Sequence, residues 1–200
     1  MFDEPIYRWT VTGLILTGTA PFFSFYHVRT RRFDASNRQQ VTNWRAYEWI
    51  DWYLKLSTLA VAVVSIHWQT AWLLPVHHSA LLSIAGLALA GVAIALFAWA
   101  MSSLDAQYTP AHQSRLPSQI VRHGPYRFIR HPVYTSNLLL ISSLFLFSGS
   151  AWLLINLGIL IAYYVPTILV EERAIRSEFP EYDHYAGQTG RFFPTWRMRR

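Results

Sequence analysis

Between Val76 and Ser103 the chain contains no Asp, Glu, Lys or Arg. Over its 200 residues only 14% are charged, whereas soluble domains carry about 25%. The charged residues that are present fall in clumps between long apolar stretches. So few charged residues cannot give a soluble globular protein of this size a polar surface. The sequence therefore predicts an integral membrane protein.

Five apolar stretches separate the clumps of charge, and they set the predicted fold. A helix needs about 20 apolar residues to cross the hydrocarbon, and four of the stretches are that long. The fourth in order is shorter, and only Ser148-Gly149-Ser150 separates it from the fifth, which predicts a tight helical hairpin. The stretches are Trp9–Tyr26, Tyr53–Leu74, Ala80–Met101, Tyr134–Phe147 and Ala151–Val170. The sequence thus predicts an all-α membrane domain over residues 1–200 with five transmembrane helices.

The distribution of arginine predicts the orientation of these helices. Arginines crowd the first and third loops and the tail after the last span, whereas residues 75–79 and 148–150 contain no Arg or Lys. Because basic residues favour the cytoplasmic side, we expect the N-terminus outside and the C-terminus in the cytoplasm. In a bacterium, the membrane that these helices cross would be the cytoplasmic membrane. The same placement explains the net charge of +6 without a nucleic-acid partner.

Several classes of site have no support in the sequence. The absence of Cys excludes disulfides, thiolate metal sites and a thiol nucleophile. Rossmann, P-loop, zincin and hydrolase-elbow motifs are absent. No two of the eight His residues have the i, i+3 or i, i+4 spacing of a helical metal site, so we predict no metal.

Residues with catalytic or binding potential concentrate in segments 105–134 and 171–200, both predicted to be cytoplasmic. Pro132 suits the first turn of a helix, and the free N–H groups of that turn can hold a carboxylate or phosphate. The rings of Tyr126 and Tyr134 attract cations. The predicted hairpin brings Tyr134 close to Glu171, at the end of the last span. These residues would suit a ligand that carries both a carboxylate and a cation.

A second interpretation of the same residues is purely structural. Glu171 and Glu172 could be solvated carboxylates, and Arg130 could be an anchor on the inner side of the membrane. The residues alone leave the two interpretations about equally weighted.

The order of these motifs resembles one family of membrane enzymes. Gly124-Pro125-Tyr126, the box Arg130-His131-Pro132-Val133-Tyr134 and then the pair Glu171-Glu172 are similar to the isoprenylcysteine carboxyl methyltransferase and phospholipid methyltransferase superfamily. The similarity covers roughly the last 90 residues. It implies S-adenosylmethionine as cofactor and a lipophilic acceptor that enters from the bilayer, with the active site at the cytoplasmic face.

The resemblance also implies which residues form the site. The cofactor-binding set is Ser118, Gln119, Ile120, Val121, Tyr126, His131, Pro132, Val133, Tyr134 and Glu171. The predicted catalytic residues are Arg130, Glu172 and Tyr185. A carboxylate acceptor needs no general base, whereas an amine or hydroxyl does, and Glu172, Tyr185 and His131 are the nearby residues that could act as one.

Two positions depart from the family pattern. Ser118 stands where the family usually has His, and Thr167 stands where prenylcysteine carboxyl methyltransferases place an Arg near the substrate carboxylate. The methyl acceptor therefore stays open between a prenylcysteine, a phospholipid amine and another lipid. Two alternative functions also remain: an NADPH-dependent reductase of the sterol reductase type, and a relative of the same fold without catalysis.

Overall fold

The described part of the chain is helical. In a computed structural model, the described residues are 6, 8–10, 12, 13, 15–17, 19, 20, 41, 45–68, 74–76, 79–104, 107, 108 and 115–195. The helices are α1 (Arg45–His67), α2 (Ala80–Leu104), α3 (Pro132–Ser148), α4 (Trp152–Glu178) and α5 (Tyr182–Gln188), with one 3-10 turn at Gly124–Arg127. The described residues between 6 and 20 are also helical, and the described ranges contain isolated β-bridges but no strand.

Within the described ranges, three helical segments are long and apolar enough to cross a membrane: Glu48–His67, Ala80–Leu104 and Trp152–Glu178. Pro132–Ser148 is a shorter apolar helix, as the sequence predicts. These findings support an all-helical integral membrane protein. Much of the predicted first span, Trp9–Tyr26, lies outside the described residues. Five spans and their orientation therefore stay predictions.

The helix ends differ from the ends of the apolar stretches that predict them. Helix α1 begins at Arg45 rather than Tyr53 and ends at His67 rather than Leu74, and its acidic Glu48 suits the positive end of the helix dipole. Helix α4 continues to Glu178 rather than ending at Val170. Charged residues thus extend each of these helices at one end, since a helix can continue where it leaves the hydrocarbon.

Helices α2 and α3 pack with their backbones unusually close together. A Cβ atom added to Gly86 would lie 2.7 Å from the backbone nitrogen of Phe147 and 2.8 Å from the carbonyl oxygen of Ser143. Small residues permit this approach in membranes, where van der Waals packing rather than the hydrophobic effect joins helices. The contact fixes α3 against α2 along its C-terminal half.

A tight turn connects α3 to α4. Gly149 has φ of 68° and its N–H donates to the carbonyl of Phe145 at 2.8 Å, which ends α3. This left-handed conformation suits glycine because it has no Cβ. Helix α4 begins at Trp152 and runs back along α3. The start of α3 and the end of α4 therefore lie side by side, and this end of the molecule contains the candidate site.

Candidate active site

The loop before α3 depends on a glycine. Gly124 has φ of +58°, and a Cβ there would lie 2.0 Å from the Ser103 hydroxyl oxygen and 3.2 Å from the Trp99 ring nitrogen. The turn therefore packs directly on the end of α2 in a conformation that other residues adopt only with strain. Tyr126 lies in this turn, and its side chain is buried.

The residues just before α3 pair with the segment that follows α5. The backbone N–H of Arg130 donates to Gly190 at 2.8 Å, and that of His131 donates to Arg191 at 3.1 Å. Gly190 in turn donates to Phe128 at 3.3 Å. This short parallel pairing brings together two parts of the chain that are about 60 residues apart in sequence.

Glu172 lies at the centre of a buried charge cluster, which we call the Glu172 cluster: Arg130, His131, Glu172 and Arg191. Its side chain is 1% exposed. Arg130 Nε donates to Glu172 Oε1 at 3.0 Å, and His131 Nε2 lies 3.2 Å from the same oxygen. Arg191 Nη2 donates to Glu172 Oε2 at 2.9 Å, and Arg191 Nε donates to both carboxylate oxygens at 3.2 Å. Both carboxylate oxygens are therefore engaged by cationic or imidazole partners.

Glu171, the adjacent residue, has a different environment. The Tyr134 hydroxyl donates to both of its carboxylate oxygens, at 2.9 and 3.1 Å. The Tyr134 ring stacks between His131, at a centroid distance of 5.5 Å, and Tyr164, at 4.3 Å. The structure thus confirms the predicted proximity of Tyr134 and Glu171, and the stacked rings fix the tyrosine that orients the carboxylate.

A cleft opens between the loop before α3, the start of α3, the end of α4 and α5. It encloses about 900 Å³ of empty space, including its opening to solvent. The described residues of its lining combine the Glu171 carboxylate with arginines, tyrosines and apolar side chains. The lining residues are Val41, Leu104, Gln107, Tyr108, Arg115, Pro117, Gln119, Ile120, Val121, Tyr126, Arg130, His131, Val133, Tyr134, Glu171, Ile175, Tyr182 and Tyr185.

Most of the predicted site residues line this one cleft. Of the predicted cofactor-binding set, only Ser118 and Pro132 are not among its lining residues. Pro132 is fully buried at the start of α3. Of the predicted catalytic residues, Arg130 and Tyr185 line the cleft, whereas Glu172 is buried within its own cluster.

Ser118 positions the loop through a residue that the sequence does not single out. Gln107 donates from Nε2 to the Ser118 hydroxyl at 2.8 Å, and its side-chain oxygen Oε1 accepts from the Ser118 backbone N–H at 2.9 Å. Gln107 itself lines the cleft. The two hydrogen bonds fasten residues 117–121, four of which line the cleft, to Gln107 in the segment after α2.

The structure adds three polar cleft residues to the predicted site: Gln107, Tyr108 and Arg115. They belong to the predicted cytoplasmic segment 105–134, but no motif marks them individually. Tyr182, which lies on the same short helix as Tyr185, also lines the cleft. The hydroxyl of Tyr185 donates to the backbone carbonyl of Tyr126 at 2.6 Å.

Three of the cleft tyrosines stay protonated at neutral pH. Burial raises the pKa of Tyr185 to about 12, and burial raises the pKa of Tyr126 and of Tyr182 well above the ordinary value for tyrosine. All three therefore keep their phenolic protons near pH 7, so Tyr185 would not act as a general base at that pH. Hydrogen bonding to Glu172 raises the pKa of Arg191, which keeps that side chain charged.

Thr167 is not among the cleft-lining residues, and the described residues contain no candidate metal site. Thr167 is fully buried, and its hydroxyl donates to the carbonyl of Tyr163 in the preceding turn of α4 at 2.9 Å. Within the described ranges, no group of three or more His, Cys, Asp or Glu side chains is arranged to hold a metal ion.

Comparison with known proteins identifies the family. Residues 81–181 match the phospholipid methyltransferase family, and this match covers half of the chain. It includes α2, the loop before α3, the box at residues 130–134 and the Glu171-Glu172 pair. The chain belongs to the phospholipid methyltransferase family, within the superfamily that its motifs resemble.

Two similar proteins carry names from metal resistance. The nickel-cobalt-cadmium resistance protein NccN of Alcaligenes xylosoxydans is 30% identical over 146 residues, which are 72% of this chain and 62% of that protein. The cobalt-zinc-cadmium resistance protein CzcN of Cupriavidus metallidurans is 36% identical over 87 residues, which are 43% of this chain and 40% of that protein. The chain thus spans about two fifths to three fifths of the length of these relatives.

Proposed function

We propose that the chain is a membrane methyltransferase that uses S-adenosylmethionine and acts on a lipophilic acceptor. The family match supports the reaction class, because methyltransferases of this family generally use that cofactor. The observation that carries the proposal is the cleft, in which the Glu171 carboxylate, oriented by Tyr134, lies beside the first turn of α3.

The cleft residues fit both ends of such a cofactor. Glu171 and the rings of Tyr126 and Tyr134 offer a carboxylate and aromatic faces to an ammonium and a sulfonium. The helical hydrogen bonds of α3 begin with the Thr135 N–H, which donates to the carbonyl of His131, and no side chain caps the helix. The N–H groups of the first turn are then available to a carboxylate.

The protein contributes position and exclusion of water in this proposal. S-adenosylmethionine would supply an electrophilic methyl group for in-line displacement by the acceptor, with no metal required. Holding two reactants in line at near-attack distance can provide about 7–11 kcal/mol of the barrier. Tyr134 and Glu171 would hold the cofactor end, and an amine or hydroxyl acceptor would transfer its proton to a base in or beside the cleft.

The environment of Thr167 bears on the acceptor. The resemblance places an Arg here in enzymes that methylate a prenylcysteine carboxylate, whereas this chain has a buried hydroxyl that is bonded within its own helix. With no cation at this position, a carboxylate acceptor has less support than an amine or hydroxyl acceptor carried by a lipid. The names of the two relatives suggest metal stress as the physiological setting for such a modification.

Calorimetry on detergent-solubilised protein tests the cofactor assignment. We expect S-adenosylmethionine to bind and NADPH not to bind. Glu171→Gln keeps the shape and removes the charge, so affinity should fall by roughly 10- to 100-fold, since charge-assisted hydrogen bonds contribute about 1.5–3 kcal/mol. Glu178→Gln, an exposed acid at the end of the same helix, is the matched control. Binding of NADPH alone would support the reductase, and binding of neither ligand would support a non-catalytic protein.

We also propose that the cleft faces the cytoplasm. A topology reporter fused after Arg200 should then read cytoplasmic, and one inserted between His77 and His78 should read external. A cytoplasmic signal from the second reporter would contradict the five-helix topology.

A further inference from the structure

The Glu172 cluster joins three parts of the chain that form the cleft. Arg130 and His131 precede α3, Glu172 belongs to the end of α4, and Arg191 follows α5. We infer that Glu172 is a positioning residue that acts through Arg130 and Arg191. It holds in place α5 and residues 189–192, which we call the C-terminal wall of the cleft. This inference rests on the proposed function only for what the cleft binds.

The first connection runs from Glu172 through Arg130 to α5. Arg130 Nε donates to Glu172. Nη1 of the same arginine donates to the carbonyl of Ala186 at 2.8 Å and also to the carbonyl of Thr189. These carbonyls lie at the C-terminal end of α5, where a cation also interacts favourably with the helix dipole. Helix α5 carries Tyr182 and Tyr185, which line the cleft. Glu172 therefore orients the arginine that fixes this wall.

The second connection runs through Arg191. Its side chain is 44% exposed, but it holds the buried carboxylate through the bidentate geometry that only arginine provides. The backbone of the same segment pairs with Arg130 and His131, and the carbonyl of Phe192 accepts from the Thr135 hydroxyl at 3.3 Å. Side-chain and backbone contacts thus hold residues 189–192 against the start of α3.

The third connection reaches the other side of the cleft, which the start of α3 and the end of α4 form. His131 contacts Glu172 Oε1 and stacks on Tyr134 with an angle of 7° between the rings. Tyr134 in turn orients Glu171 in the cleft. One buried carboxylate therefore contacts residues that fix the walls on both sides of the cleft.

The geometry disfavours a role for Glu172 as general base. Its two oxygens already accept hydrogen bonds from two arginines and contact His131, and it lies behind the lining residues at 1% exposure. A base must reach the proton that it removes, directly or through one water. His131 lines the cleft and has access to an acceptor, whereas the hydroxyl of Tyr185, which also lines the cleft, already donates to the carbonyl of Tyr126.

Hydrogen exchange of the full chain without ligand tests the positioning role directly. In Glu172→Gln we expect amides of residues 182–190 to exchange at least tenfold faster, and in Arg191→Ala those of residues 189 and 190, while amides of α2 keep their rates, because loss of each connection opens the part of the wall that it holds. Arg191→Lys, which keeps the charge, should recover part of the protection. If Glu172→Gln does not fold, Arg191→Ala still decides the question, since it leaves Arg130 and Glu172 paired.

The matched control is Asp183→Asn. Asp183 pairs with Arg176 at 2.8 Å and also joins α5 to α4, but its side chain is 76% exposed. Loss of an exposed pair should change exchange less than twofold. Unchanged exchange at residues 182–190 in both cluster variants, or an equal increase in α2, would overturn the inference.

Binding of S-adenosylhomocysteine separates this inference from the proposed function. Arg191→Ala should weaken binding several-fold although Arg191 is not among the cleft-lining residues, and Arg191→Lys should restore most of it. A base role for Glu172 without a positioning role predicts instead that Arg191→Ala binds S-adenosylhomocysteine like the parent protein and changes only turnover. If the parent chain binds no S-adenosylhomocysteine while exchange behaves as expected, the proposed function fails and the positioning role stands.

Discussion

The apolar contact between α2 and α3 and the polar end of the molecule are held together by different means. At the first, Gly86 lies against the backbone of α3 and no ion pair is needed. At the second, which comprises residues 115–134 and 171–195, ion pairs and hydrogen bonds join the loop before α3 and the segment after α5 to the ends of α4 and α5. Close approach of backbones requires only small residues, whereas a cleft requires loops, and loops need specific partners for their polar groups.

The comparison also separates two neighbouring carboxylates. Glu172 is bonded to two arginines and a histidine from the segments around the cleft, whereas Glu171 faces the cleft and accepts from the Tyr134 hydroxyl. Breaking a buried ion cluster is costly because it leaves a charge without a partner. A cleft-facing carboxylate can change with less effect on folding and more on binding.

Gly86→Val should give the largest loss of stability, because the added side chain meets backbone atoms that cannot rotate away. We expect a destabilisation of about 3 kcal/mol, the upper end of the range for overpacking, measured by unfolding in mixed micelles. Gly91→Val is the control on the same helix, since a Cβ at Gly91 would meet no atom within 4 Å. Equal effects of the two variants would show that helix propensity, and not the close contact, sets the cost.

Tyr134→Phe should reduce binding more than stability. The variant keeps the stacked ring and removes the hydroxyl that donates to both Glu171 oxygens. We expect about tenfold weaker binding of S-adenosylhomocysteine, equivalent to about 1.4 kcal/mol, with little change in unfolding. Tyr53→Phe, at a half-exposed position on α1, controls for loss of a tyrosine hydroxyl. Parent-like affinity would mean that Glu171 needs no orientation.

Gln107→Ala should have a smaller effect on the same affinity. Its two hydrogen bonds to Ser118 are exposed, so each contributes near the low end of about 0.5–1.5 kcal/mol. A roughly threefold weaker binding of S-adenosylhomocysteine is expected from the looser loop, measured by the same calorimetry. Gln188→Ala removes an exposed glutamine of α5 and should bind like the parent chain. A loss as large as that of Tyr134→Phe would make Gln107 a direct ligand-binding residue.

The sequence predicted well whatever depends on local pattern. Apolar length located α2 and α3, and Ser148-Gly149-Ser150 located the turn that brings Tyr134 to Glu171. The contacts of Glu172 were beyond reach, because the pairing of residues 128–131 with residues 190–191 has no periodicity and connects distant parts of the chain. The role of Gln107 was hidden for a related reason, since an amide side chain that binds a backbone carries no motif.

Asn156 gives the smallest expected effect and the sharpest challenge to the comparison, because it is a polar contact within an apolar region. It is 1% exposed on α4, and its Nδ2 donates to the hydroxyls of Ser57 at 3.0 Å and Thr58 at 3.1 Å on α1. Hydrogen bonds between membrane helices contribute about 0.6 kcal/mol on average, because both groups find other partners when separated. A double-mutant cycle of Asn156→Leu with Ser57→Ala, followed by unfolding in mixed micelles, should give a coupling of that size. A coupling of about 2 kcal/mol or more would mean that polar contacts hold the apolar helices together as firmly as they hold the cleft.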